Sequence, residues 1–150
     1  MTTPRFDLPA RLADGYQAVL RLETIVRGAL DPTLLNLVKL RASVVNGCAF
    51  CVDMHGTHLL GDGEDPRRVL AVATWHESPF FTDAERAALA LTDAVTRLGE
   101  GGVPEDVWAA AEKHHGTDTA AHLVLAIATI NVWNRLAITS GSQPPALEAA

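Results

Sequence analysis

Basic clusters, long uninterrupted apolar runs, cysteines and strand-like alternation are all scarce in this chain, and each shortage removes a class of structure or function. Lysine and arginine total 12 against 18 acidic residues, for a formal net charge of −6. The densest basic spot, Arg67-Arg68, reads as a solvated helix face, so the basic footprint that nucleic acid requires is missing. Residues 1–13 carry Arg5, Asp7 and Arg11 and lack the apolar core of a secretory signal. The longest apolar stretch, Leu123 to Ile138, is broken by Asn131, Asn134 and Arg135, and reads as too short and too polar for a membrane span. The expectation is a cytoplasmic protein with no nucleic-acid and no membrane partner. The two cysteines, Cys48 and Cys51, are three positions apart. A bridge between them closes too small a loop to staple a fold, and cytoplasmic disulfides are usually transient and catalytic. The alternation at Val44-Val45 is too short for a strand, and neither a repeat nor a domain boundary is visible.

What is there is helical periodicity with punctuation. Leu12, Tyr16, Val19, Leu20, Leu22, Ile25 and Val26 predict a first helix over about 10–29. Asp31-Pro32 is an N-cap followed by proline at the first helical position, opening a second helix that runs to about Asn46, with Gly47 as terminator. A third helix starts near Cys48 and stops at Gly61-Asp62-Gly63, and a fourth covers Arg67 to His76. Thr82 to Glu85 is a capping box for a fifth helix reaching about Leu98. Pro104 opens a sixth, ending near His115-Gly116, and Thr117 or Asp118 caps a last one to about Ser140. The reading is one all-α domain over 1–150, with about six to seven helices and no sheet. Its core spans about 10–140, and the tail from Gly141 to Ala150 is frayed.

The chemistry-bearing segment is Asn46 to His58, which contains Cys48, Cys51, His55 and His58 on one narrow helical stripe. Cys51 and His55 are four apart, within reach of one another, and Cys48 sits in the first turn, where free amides and the helix dipole favour a thiolate. A lowered pKa, a neighbouring base and a second thiol are what a redox dithiol needs. Two buried small hydrophobes would be the blander reading. Zinc is the third, but residues 48 to 58 span roughly 15 Å at ~1.5 Å per residue, too far for four ligands from one straight helix to share a tetrahedral ion. A thioredoxin-type site would need a βαβ setting that the pattern lacks.

Leu37 to Ser43, running into Asn46-Gly47-Cys48-Ala49-Phe50-Cys51-Val52-Asp53-Met54-His55, resembles the alkyl hydroperoxidase D-like family of the carboxymuconolactone decarboxylase superfamily. The likeness continues through Trp75 to Thr82 and Glu85 to Ala90, and closes with Ile130 to Leu136. The resemblance implies an all-α homo-oligomer, commonly a trimer or hexamer, and a peroxidase without cofactor or metal. In it, a Cys-x-x-Cys dithiol reduces a hydroperoxide and closes to a disulfide, which a lipoyl-type dithiol carrier reopens. It makes Cys51 the attacking thiol, Cys48 the resolving thiol and His55 part of the proton relay. The dipole argument instead favours Cys48 as the stronger thiolate; the spacing to His55 sides with Cys51. The family motif has a glutamate twelve residues before the first cysteine, where this chain has Asn36, which cannot exchange a proton. Asn36 is expected beside the cysteine pair, with His58 and Glu77 as auxiliary candidates for the missing acid. Asp53 reads as solvated, His114-His115 as complements to a helix dipole, and Trp75, Trp108 and Trp133 as core or subunit-interface residues. Two other classes of function remain: a lyase of the carboxymuconolactone decarboxylase type, which does not require the cysteine pair, and a redox-sensing helical oligomer with little catalytic activity.

Overall fold

The computed structural model describes residues 3–147. They form eight α-helices and one 3-10 turn, in the order α1 (Leu8–Arg11), α2 (Ala13–Ala29), α3 (Pro32–Asn46), α4 (Ala49–Gly61), α5 (Pro66–Ala71), the 3-10 turn Val72–Thr74, α6 (Asp83–Thr96), α7 (Glu105–His115) and α8 (Thr117–Ser140), with no strand among the described residues. The all-α expectation holds, and the helix count exceeds it by one because the first predicted helix is two. Asp7 caps α1 by accepting from the Ala10 amide at 2.7 Å, and Leu12 leaves helical geometry before α2 begins. The predicted caps at Asp31 and Thr82 are both formed, the second as a complete capping box.

The fourth predicted helix is shortened for a tertiary reason. After Ala71 the carbonyls of Val72 and Ala73 turn to the Arg41 guanidinium, at 3.3 and 2.8 Å, and those of Trp75, His76 and Ser78 turn to Arg86. These arginine contacts favour a backbone course that tightens to 3-10 and then to turns.

At the centre lies α3, which packs against α4, α6 and α8. Every residue from Leu37 to Ser43 is buried, including Lys39 and Arg41. α8 is the second core helix. It is long and apolar enough to span a bilayer, contrary to the sequence reading, but here it packs against α2, α3, α6 and α7. Val26, Val38, Leu91, Leu123 and Ile127 fill the main core between these helices. A second cluster around Leu37, Leu59, Trp75 and Leu89 backs the other side of α3. The start of the tail is tied down, with the Ser142 amide donating to the Ala137 carbonyl at 2.9 Å; residues 148–150 of the segment expected to fray lie outside the described residues.

Candidate active site

The turn between α3 and α4 sets the cysteine pair. Gly47 ends α3 with φ 69°, and the amides of Gly47 and Cys48 both turn back to the Ser43 carbonyl. A side chain at 47 would touch nothing within 4 Å, so only backbone strain opposes it. Gly47→Ala is therefore expected to cost ~1–2 kcal/mol in urea unfolding; an unchanged midpoint would contradict the left-handed geometry.

Cys48 is the N-cap of α4 and Cys51 lies in its first turn; both are buried free thiols. The Cys51 thiol donates toward Cys48, which lowers the Cys48 pKa to about 6 despite burial, helped by the amides opening α4 and by the Asn134 side chain. The same interaction, with burial, pushes Cys51 upward. Of the two thiols, Cys48 is the one whose thiolate form is favoured. Asn134 is itself fixed, its amide donating to Ser43 Oγ at 3.0 Å and its oxygen accepting from Asn46 at 2.8 Å.

Access divides the two thiols the other way. A cavity of about 380 Å³ is lined by Cys51, Met54 and His55 of α4, by Tyr16, Leu20 and Glu23 of α2, and by Phe50 and Trp133; Cys48 is not on its wall. Tyr16 and Trp133 meet edge to face with ring centroids 5.1 Å apart, giving that wall a rigid aromatic corner.

His55 is buried one turn beyond Cys51. Its Nδ1 lies 3.2 Å from Asn36 Oδ1. With the Asn36 oxygen accepting, Nδ1 carries the hydrogen and Nε2 keeps its lone pair. That Nε2 is buried without a partner, so no hydrogen bond joins it to Cys51. Burial, reinforced by the Lys39 charge, lowers the His55 pKa to about 3, with Glu23 opposing. A proton that His55 takes up readily only when unfolded favours the unfolded chain. Its stabilisation is therefore full above about pH 6.5 and is lost as pH falls toward 3. About 3 kcal/mol is expected to disappear between pH 6.5 and 4. Urea unfolding at pH 7 and pH 4 should show His55→Gln losing less than wild type; equal losses would refute the buried neutral imidazole.

Asn36, expected from sequence beside the cysteine pair, hydrogen-bonds His55 and reaches the site through it. It lies on α3 well before the turn, where the antiparallel course of α4 brings His55 alongside. Asn36 and His58 border a second cavity of about 510 Å³ together with Lys39 and Thr57. His58 is exposed and meets His55 edge to face at 6.0 Å. Glu77 is exposed in the turn after the 3-10 segment and borders neither cavity. Asp53 is exposed, and His115 ties the end of α7 to α6 by bonding the Ala84 carbonyl at 2.8 Å. Trp75 is a core residue and Trp108 packs on the main core, whereas Trp133 walls the cavity.

Sequence reasoning missed a buried ion pair at this site. Glu23 Oε1 receives Lys39 Nζ and, at 3.1 Å, Arg27 Nε, while Glu23 Oε2 has no partner. Burial raises the Glu23 pKa, but Lys39 and Arg27 more than offset this and keep the carboxylate ionised. The available signal was a glutamate in step with Tyr16, Leu20, Val26 and Leu30 on the apolar face of α2.

A carboxymuconolactone decarboxylase family model matches residues 10–94 of this sequence. YdfG of Bacillus subtilis, an uncharacterised protein, is 32% identical over 131 residues, covering 87% of this chain and 89% of its own. A protein of unknown function from Agrobacterium tumefaciens, ascribed to AhpD-type antioxidant defence, superposes with a TM-score of 0.93 at 37% identity over 97% of this chain and 100% of its own. The alkylhydroperoxidase AhpD core of an uncharacterised peroxidase-related protein from Ralstonia eutropha shares the fold, with a TM-score of 0.79 at 24% identity over 91% of this chain and 74% of its own. With the family match extending over more than half of the sequence and the fold shared along nearly the whole chain, the chain belongs to the carboxymuconolactone decarboxylase family, as an alkyl hydroperoxidase D-like protein.

Proposed function

We propose that this protein is a thiol peroxidase that reduces organic hydroperoxides with the Cys48–Cys51 dithiol. The carrying observation is the division between the two thiols: Cys51 opens on an apolar cavity beside a base, and Cys48, behind it, is held near its thiolate form. The Cys51 proton passes to His55 Nε2, and the resulting thiolate attacks the distal peroxide oxygen. The O–O bond breaks, Cys51 becomes a sulfenic acid, and the alkoxide leaves as the alcohol with the proton from His55. Cys48 then attacks the Cys51 sulfur; a disulfide forms and hydroxide departs, to be protonated as water. An external dithiol of the lipoyl type reduces the disulfide and completes the cycle. The cavity walls support an apolar peroxide, and the 48–51 spacing supports rapid closure.

The test is consumption of cumene hydroperoxide by the purified protein with dihydrolipoamide as reductant, compared with Cys51→Ser. Steady turnover that vanishes in the variant is the expected result. Equal rates in the two proteins, or no turnover with a fully reduced wild type, would overturn the reading.

A further inference from the structure

We infer that Glu23 is the carboxylate of the dithiol centre, supplied from α2 in place of the acid that position 36 lacks. The inference rests on the peroxidase reading above. Two buried side-chain polar atoms among the described residues lack a hydrogen-bond partner, Glu23 Oε2 and His55 Nε2. They belong to two different helices, yet both residues line the cavity onto which Cys51 opens. Buried polar atoms are nearly always paired, so two orphans on one wall mark a place where charge or a ligand is to be received. Candidate acids elsewhere do not serve. Glu77 and Asp53 are exposed, and Asp7, which also borders the cavity, has its carboxylate committed to the cap of α1.

The chemistry supplies the role. When His55 takes the Cys51 proton, an imidazolium develops in a buried site where it is poorly tolerated. A fixed anion on the same wall offsets that charge. Lys39 and Arg27 hold Glu23 through Oε1, which leaves Oε2 free of either cation. Glu23 thus acts through His55 and is a positioning residue. The charged and titratable groups around it are Arg27 on its own helix, Lys39 on α3, Cys51 and His55 on α4, and Tyr16 and Asp7 on the cavity wall. Arg27 bonds to Glu23 as well as Lys39 does, so the carboxylate keeps one cation when the other is removed.

This separates an electrostatic role from a structural one. Glu23→Gln is expected to slow cumene hydroperoxide consumption at pH 7 by about tenfold or more and to move the rising limb of the pH–rate profile upward by about one unit. Lys39→Met, which breaks the same ion pair from the other side, is expected to keep or raise the rate. Adding Asn36→Glu to Glu23→Gln returns a carboxylate to His55 and is expected to restore the rate to within about threefold of wild type. If Glu23→Gln does not fold, the double variant carries the measurement, because position 36 borders the same cavity as Lys39 and can pair with it. Equal losses in Glu23→Gln and Lys39→Met, or a folded double variant that remains about tenfold slow, would overturn the inference.

A second readout needs no peroxide. In a Cys48→Ser background, Glu23→Gln is expected to slow alkylation of Cys51 by iodoacetamide at pH 7 by about fivefold or more. If wild type consumes no peroxide but alkylation depends on Glu23, the peroxidase reading falls and the Glu23 assignment stands. If wild type turns over and neither rate depends on Glu23, the assignment alone falls.

Discussion

Replacing Cys51 by serine is expected to lower hydroperoxide turnover by on the order of 10³-fold or more, because a hydroxyl with an ordinary pKa replaces the thiol on the cavity wall. Cys48→Ser should also abolish steady turnover, but for a different reason and with a different trace. Cys51 still meets the peroxide once and stops as a sulfenic acid, since no second thiol can displace hydroxide. Dimedone added with one equivalent of peroxide should label Cys48→Ser and leave Cys51→Ser unlabelled. The opposite pattern would mean that the more acidic thiol, Cys48, attacks despite its position behind the cavity. This experiment sets acidity against access. Cys48 is the better thiolate at rest, held near pKa 6 by its partner's thiol. A ready thiolate is also what the resolving step requires, so the low Cys48 pKa and the place of Cys51 on the cavity wall are complementary.

Asp93→Ala is expected to destabilise the fold by about 3–5 kcal/mol, a large part of the 5–15 kcal/mol typical of a domain. Asp93 on α6 grips Arg41 on α3 in a bidentate pair, 2.6 and 2.8 Å, with both side chains nearly closed to solvent. It also accepts from Trp75 Nε1 at 3.3 Å. Removing the carboxylate strands a buried guanidinium that cannot shed its charge. Arg97 contacts the same carboxylate at 3.5 Å but is 58% exposed, so Arg97→Ala should cost less than about 1 kcal/mol. Urea unfolding of the two variants measures the contrast. Similar small losses would mean that the Arg41–Asp93 pair does not hold α3 to α6. The effect bears on function, because α3 carries Asn36 and Lys39 and ends at the turn that sets Cys48.

Local signals made most helices legible, since capping and turn chemistry depend on neighbours in sequence. Asp31-Pro32, Gly47, and Thr82 with Glu85 act within a few residues, and each does in the structure what its type implies. The fourth helix stops short of its predicted end, in a segment whose carbonyls accept from Arg41 and Arg86, which are remote in sequence. The membrane reading of α8 rested on its polar interruptions. Of these, Asn131 and Asn134 turn out to be buried in hydrogen bonds to α3 and α6, leaving the helix free to serve as core.

For the candidate site, the sequence by itself determined the cysteine pair, its place at a helix start and the position of His55 one turn later, because all three follow from spacing along a single helix. The departure at Asn36 was also legible, but its partner was not. Only the tertiary structure decided that Asn36 bonds His55, that Cys51 and not Cys48 lines the cavity, and that Glu23 and Lys39 are buried together beside it. These are relations between α2, α3 and α4. A lone charged residue on an apolar helix face carries no mark of the opposite charge it will meet, because desolvation and pairing are settled between helices, after each helix has formed.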